Sequence, residues 1–118
     1  MIRLPGRCTA LATIALAGCA TQPPMYYWGS YQPLIYQSYH EPGSVPPERQ
    51  IEQLERDFQQ ARAKNVRMPP GWHAHLGVQY FKLGKVDEAV RELRTEKAEF
   101  PESAVFVDRL LANIGKTK

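Results

Sequence analysis

The chain has 118 residues, of which 43% are hydrophobic and 23% are charged, so it can form one small globular domain with short appendages. This length excludes a multidomain enzyme, and the only two cysteines, Cys8 and Cys19, are too close to the start to staple a disulfide scaffold. The formal net charge is +3, but 13 of the 15 basic residues and all 12 acidic ones lie after residue 18, so the rest of the chain is nearly neutral. Such a balance predicts no nucleic-acid partner.

The first 18 residues are typical of a secretory signal peptide. After Arg3 and Arg7, an apolar run extends from Cys8 to Gly18, over 11 residues, whereas a membrane-spanning helix needs about 20. The run ends in Leu16-Ala17-Gly18-Cys19, which resembles the lipobox of bacterial lipoproteins. The resemblance implies cleavage between Gly18 and Cys19, with a diacylglycerol on the Cys19 thiol and an N-acyl chain on its new amine. The alternative is a buried cysteine at the end of an apolar core helix.

Residues 19–45 are predicted to form an extended arm that is rich in tyrosine and proline. No Lys, Arg, Asp or Glu occurs in residues 19–40, and Gly29 and the prolines there, Pro33 among them, argue against a continuous helix. Exposing so many aromatic rings to water is unfavourable in free energy. The rings are therefore expected to pack either on the helices of the same chain or on a partner protein or glycan. Six of the chain's 12 aromatic residues lie in this arm: Tyr26, Tyr27, Trp28, Tyr31, Tyr36 and Tyr39.

Residues 46–115 are predicted to be all α-helical. A first helix begins near Pro46 or Pro47 and ends near Lys64 or Asn65, because apolar residues recur at helical spacing from Ile51 to Ala61. A last helix is expected from about Glu102 to Ile114, with Gly115 as its stop. Between them the spacing of apolar, small and turn residues resembles one tetratricopeptide repeat, a pair of helices. The residues that carry the resemblance are Leu76, Gly77, Tyr80, Gly84, Ala89, Leu93 and Pro101.

The repeat resemblance implies a place for a ligand and a shortage of apolar cover. Repeats of this kind bind peptides along the first helix of each pair, which here implies a groove at Ala74, Val78, Phe81 and Lys82, with His75 adjacent. About three repeats are usually needed for stability, and this chain has about one and a half. The shortage predicts that the module is covered by its own arm or by another molecule, and the arm could equally cover the groove itself.

Catalytic and metal chemistry find little support in the sequence. His73 and His75 lie two residues apart, about 200° around a helix axis, so they are not expected to share a metal. Ser30, Ser38, Ser44 and Ser103 lie at turns or helix starts and not in a nucleophile motif. No metal, small-molecule substrate or enzymatic activity is therefore predicted. Acidic residues interspersed with basic ones predict a solvated face on the second helix of the pair, formed by Glu88, Glu92, Glu96 and Glu99.

Three short segments resemble one uncharacterised family of Gram-negative lipoproteins, domain of unknown function 4810. They are Tyr26-Tyr27-Trp28-Gly29-Ser30-Tyr31, Pro69-Pro70-Gly71, and Glu96-Lys97 leading to Phe100-Pro101-Glu102-Ser103, and the resemblance covers roughly residues 26–114. Its members tend to be encoded beside a lipoprotein similar to the curli-secretion channel, which implies a role in a cell-envelope assembly. The residue after the lipidated cysteine influences which membrane a lipoprotein is sorted to, and Ala20 resembles the residues found in outer-membrane lipoproteins. The resemblance implies that the chain is anchored in the outer membrane and faces the periplasm.

The sequence therefore favours a lipid-anchored, non-catalytic adaptor that binds an envelope protein, and the alternative is a peptidoglycan or glycan binder that uses the Tyr/Trp cluster. The residues expected to bind the partner are Tyr26, Tyr27, Trp28, Tyr31, Ala74, His75, Val78, Phe81 and Lys82.

Overall fold

A computed structural model describes residues 2, 19 and 21–117, and the predicted signal peptide, with Gly18, lies outside these residues except for Ile2. The all-α class is confirmed: the described residues contain five α-helices and one 3₁₀ turn. The only strand-like pairing among them is a single parallel bridge between Tyr26 and Arg67. In chain order the helices are α1, Tyr31–His40; α2, Pro47–Ala63; α3, Trp72–Lys82; α4, Val86–Glu99; and α5, Ala104–Lys116, with the 3₁₀ turn Pro101–Ser103 before α5.

Helix α1 corrects the prediction that the arm is extended throughout. Pro33 is the third residue of the helix, within the first turn, where the N–H that proline lacks has no partner inside the helix in any case. The helix ends where Glu41 N–H donates to the carbonyl of Gln37, and Gly43 with φ +84° forms the turn that follows. Pro33 is therefore compatible with the first turn of a helix and does not prevent one.

Helix α2 lies where its apolar stripe predicts. Pro47 occupies its first turn, and Ile51, Leu54 and Ala61 are buried on one face. Phe58, on the same stripe, stacks on the buried ring of Trp72 with 5.6 Å between ring centroids. This contact joins α2 to the first turn of α3.

Helices α3 and α4 form a tight hairpin. Gly84, with φ +73°, lies in the turn between them, as the sequence predicts. A Cβ placed on Gly77 would lie 3.1 Å from the carbonyl oxygen of Ala89 and 3.2 Å from Cγ of Leu93, so glycine permits the close approach of the two helices. The small residues at positions 77 and 89 thus meet as their spacing indicates.

Helix α5 covers the end of the hairpin with Val107 and Ile114, which are buried. It begins two residues later than predicted, because Pro101–Ser103 forms a 3₁₀ turn. The expectation that Gly115 ends it is wrong, since the helix continues to Lys116. A glycine inside a helix costs only about 1 kcal/mol relative to alanine, which is too little to stop a helix near its end.

The predicted solvated acidic face on α4 is also wrong in part. Glu96 is 1% exposed, and its two carboxylate oxygens accept hydrogen bonds from the backbone N–H groups of Gly71, at 2.7 Å, and Ala74, at 3.3 Å. Glu92 is largely covered and lies 2.8 Å from Nδ1 of His73. The negative charge at Glu96 lies at the positive end of the α3 dipole and satisfies N–H groups that have no partner within that helix.

Candidate interaction surface

The first half of the arm is fastened to α2 and to the loop that follows α2. Tyr27 N–H donates to the carbonyl of Arg67 at 2.7 Å, and the Tyr27 hydroxyl donates to Oε1 of Gln60 at 2.6 Å. Ser30 N–H donates to the carboxylate of Asp57 at 2.7 Å. Within this structure the arm therefore packs on its own chain, the first of the two alternatives that the sequence left open.

Helix α1 lies across part of the groove that the repeat resemblance implied on α3. Leu34 is buried, and the Tyr31 ring meets the ring of His75 edge-on with 6.0 Å between centroids. At Gly71 a Cβ would lie 2.6 Å from the Tyr31 hydroxyl, so the glycine leaves the space that this hydroxyl occupies. Ala74, on the floor of the implied groove, is buried.

A crevice of about 220 Å³ stays open between α1, α3 and α5 and is here called the groove. Two exposed aromatic side chains form its rim, Tyr39 of α1 at 80% exposure and Phe106 of α5 at 56%. No Asp, Glu, Lys or Arg is among the described residues that line it. The lining residues are Tyr31, Ile35, Tyr39, Gly71, Ala74, His75, Val78 and Phe106.

His75 is a polar residue on the floor of the groove, and Gln50 of α2 fixes the orientation of its ring. Gln50 is buried and its side-chain amide donates to the carbonyl of Val45 at 2.9 Å, so Oε1 of Gln50 is directed to accept from Nε2 of His75 at 2.8 Å. Burial, and then the positive charge of Lys82, lower the pKa of His75 from 6.5 to about 4. The imidazole is therefore neutral at pH 7, and the groove presents apolar and neutral polar groups only.

His75 gives the fold a pH dependence that can be measured. Its pKa is lower in the folded chain than in the unfolded one, so the unfolded chain binds the proton first and stability falls as the pH drops from 6.5 towards 4. We expect a loss of about 2 kcal/mol across this interval, a figure that allows for the partial exposure of the ring. In His75→Gln this part of the pH dependence should disappear in urea unfolding curves. Parallel pH profiles of the two proteins would contradict the expectation.

The residues predicted to bind a partner fall into three places. Tyr31, Ala74, His75 and Val78 meet in the groove. Lys82 borders a separate cavity of about 300 Å³ beside the turn after α1, and Phe81 is partly buried against the core. Tyr26, Tyr27 and Trp28 lie where the arm joins the domain, and only Trp28, at 42%, is largely exposed there.

Four groove residues were not among those predicted to bind a partner: Ile35, Tyr39, Gly71 and Phe106. Ile35 belongs to the arm segment that was expected to be extended. Phe106 lies next to Val107 but outside the buried face of α5, which Val107 and Ile114 form. An exposed phenylalanine on the outer side of an amphipathic helix is the signal that could have identified it.

Residues 2, 19 and 21–117 contain neither a metal-binding cluster nor a membrane-spanning helix. No group of three or more His, Cys, Asp or Glu side chains there could hold a metal ion. No helix in the same residues has the length and hydropathy to cross a bilayer. Cys19 is exposed.

Comparison with known proteins identifies one family. The family model described as "Domain of unknown function (DUF4810)" matches residues 25–110, well over half of the chain. No curated protein and no solved structure matches the chain. The matched range begins just before the arm is fastened to Arg67 and ends within α5, so it includes every residue that lines the groove. The family resemblance seen in the sequence is confirmed, and the chain belongs to the DUF4810 family.

Proposed function

We propose that this chain is an outer-membrane lipoprotein that acts as a non-catalytic adaptor, holding a partner protein of a cell-envelope assembly near the membrane. Acyl chains on Cys19 are the anchor, and the domain faces the periplasm. The observation that carries the adaptor role is the groove, where an uncharged crevice opens between two exposed rings, Tyr39 and Phe106. A lipoprotein similar to the curli-secretion channel is the first partner to test.

The size and chemistry of the groove favour a protein partner over a small molecule. Pockets for small ligands typically enclose roughly 300–1,000 Å³ and bury most of the ligand. The groove has about 220 Å³ and is open, which suits a single anchoring side chain from another protein. Aromatic residues around such a pocket are typical of the energetic centre of protein interfaces.

The groove does not favour catalysis. Its one titratable imidazole, His75, uses Nε2 to donate to Gln50 and packs its face against Tyr31. A catalytic base needs a nucleophile or a substrate proton within hydrogen-bond reach. The tyrosines of the lining, Tyr31 and Tyr39, are weak nucleophiles at neutral pH, and burial raises the pKa of Tyr31 further.

The test is recovery of the partner from intact cells. A photo-crosslinking residue in place of Tyr39, and in a second protein in place of Phe106, should trap one envelope protein at the same apparent mass. The double variant Tyr39→Ser/Phe106→Ser should lose that protein in pull-down experiments while its unfolding free energy changes little, because both rings are exposed. Val105→Ser is the matched control, since Val105 is 68% exposed beside Phe106 but does not line the groove. Recovery of the same protein by the double variant would overturn the adaptor role of the groove.

The second candidate is a peptidoglycan or glycan binder, favoured by the ring of Trp28. This ring stacks beside Tyr31, with 6.4 Å between centroids, and is still 42% exposed, an arrangement on which a sugar ring could stack. Purified peptidoglycan free of protein should then co-sediment the chain, and Trp28→Ala should abolish the effect. A chain that stays in the supernatant rules out this candidate and leaves the adaptor unaffected.

A further inference from the structure

The link between the lipid-modified residue and the folded domain is short. Seven backbone steps separate Cys19 from Tyr26, which span at most about 25 Å when fully extended. From Tyr26 onward the chain is fixed, because Tyr26 bridges to Arg67 and Tyr27 donates to the carbonyl of the same residue. A domain held by this link stays close to the bilayer surface, and the arm is the part that must lie nearest to it.

The arm presents uncharged, exposed side chains at that end of the domain. Met25 is 76% exposed, Trp28 42% and Tyr36 61%, and these three residues are here called the arm face. The ring centroid of Trp28 lies 6.3 Å from that of Tyr26, and the Trp28 ring stacks on Tyr31. Tyr31 and Tyr36 border the same shallow hollow on α1, so contacts through Tyr31 connect Trp28 with Tyr36, and Met25 directly precedes Tyr26 in the chain.

Two cations lie beside the point where the link enters the domain. The ammonium of Lys64 is 5.2 Å from the ring centroid of Tyr27, and the guanidinium of Arg67 is 5.3 Å from that of Phe100, which in turn packs edge-on against Tyr26. Both cations are exposed. Basic side chains at such a position attract anionic lipid head groups, and tryptophan and tyrosine rings are enriched at the level of those head groups.

We infer that the arm face rests in the interfacial layer of the bilayer to which Cys19 is anchored, with Trp28 and Tyr36 at head-group depth. The inference rests on the lipid anchor of the proposed function. A short link raises the effective concentration of the arm face at the surface to the millimolar range, so a weak interfacial affinity suffices. This contact would fix the orientation of the domain and uses residues other than the groove rim.

The two tryptophans make the test specific. Trp72 is buried against Phe58, whereas Trp28 is exposed, so lipids that carry bromine on their acyl chains can quench Trp28 alone. The full lipidated protein is placed in vesicles of phosphatidylethanolamine with a minor fraction of phosphatidylglycerol, with and without brominated chains. We expect the brominated lipids to remove about half of the tryptophan emission, since Trp28 is one of 2 tryptophans. In Trp28→Phe the emission of Trp72 should stay constant.

Two variants test which residues contact the membrane, and the mass of the protein shows whether Cys19 is acylated. Met25→Ser/Tyr36→Ser, which keeps Trp28 as the probe, should reduce quenching, and Val105→Ser should leave it unchanged. Equal quenching in the Met25/Tyr36 variant overturns the assignment of the face. An acylated mass at Cys19 together with unquenched Trp28 overturns the membrane contact and leaves the adaptor standing. An unmodified Cys19 mass overturns the anchor, and the membrane contact with it.

Discussion

Gly29→Ala is expected to release the arm from the helical domain. Gly29 has φ +46°, and a Cβ at this position would overlap the carboxylate of Asp57, which holds Ser30. The left-handed backbone costs an alanine about 1–2 kcal/mol, and loss of the charge-assisted hydrogen bond adds about 1.5–3 kcal/mol. We therefore expect the free energy of unfolding to fall by about 2.5–5 kcal/mol, as measured by urea denaturation. Proteolysis within residues 31–40 should become fast under native conditions.

Gly43→Ala is the matched control for this substitution. Gly43 also has a positive φ, +84°, but an added Cβ there meets no atom within 4 Å. Gly43→Ala therefore carries the backbone cost alone, and the difference between the two variants measures the contact between the arm and Asp57. Equal losses of stability, with α1 equally protected from protease in both proteins, would contradict a role for Asp57 in fastening the arm.

The docking of the arm also determines whether the groove exists. One wall of the groove is α1, and Tyr31 of that helix lies against His75. A chain whose arm is released keeps Ala74 and Val78 on α3 but loses the wall opposite them. Gly29→Ala should therefore lose the partner that Tyr39 and Phe106 are proposed to bind, although none of its own atoms lines the groove.

The sequence predicted that the arm packs on a surface, but not which one and not the arm's conformation. The density of rings near Trp28 indicated packing, and the resemblance to an incomplete repeat array indicated a module that needs cover, from the arm or from another molecule. The helix from Tyr31 to His40 is missed when every proline is taken to exclude a helix, because the effect of Pro33 depends on its position within the helix. One turn later the same residue would interrupt the backbone hydrogen bonds of the helix.

The groove was predictable on its α3 side and, on its α1 side, only at Tyr31. Ala74, His75 and Val78 follow from the helical period and the repeat resemblance, which concern a single helix pair. Phe106 joins them only because α5 packs at one particular rotation, which the pattern of its buried residues fixes loosely. Contacts between elements distant in the sequence depend on that packing and not on local spacing.

The charged residues around Glu96 in the sequence suggested that it is exposed. Its burial is explained by the start of α3. Alternating acids and bases on α4 are typical of a solvated face. Helix α3, however, begins after Gly71, a residue with no side chain to cap its N–H groups, where Ser, Thr, Asp or Asn is usual. A helix start without its own cap needs an acceptor from elsewhere, and Glu96 of α4 is that acceptor.

Glu96→Ala is accordingly expected to be at least as damaging as Gly29→Ala. It removes the acceptor of two N–H groups, those of Gly71 and Ala74, at a site where the carboxylate itself is 1% exposed. A buried donor left without a partner costs about 1–3 kcal/mol, and the truncated side chain leaves a void. We expect the free energy of unfolding at pH 7 to fall by about 3–5 kcal/mol, measured by chemical denaturation followed by circular dichroism.

Two further variants separate capping from simple loss of charge. Glu96→Gln keeps one carbonyl acceptor in place but turns an amide N–H₂ towards the second N–H, so its loss should be intermediate. Glu102→Ala removes an exposed carboxylate from the turn before α5 and should change stability by no more than about 0.5 kcal/mol. If Glu96→Ala were as mild as Glu102→Ala, the start of α3 would not depend on Glu96. The two helices would then be joined by the apolar contacts around Gly77 and Leu93 and by the pairing of His73 with Glu92.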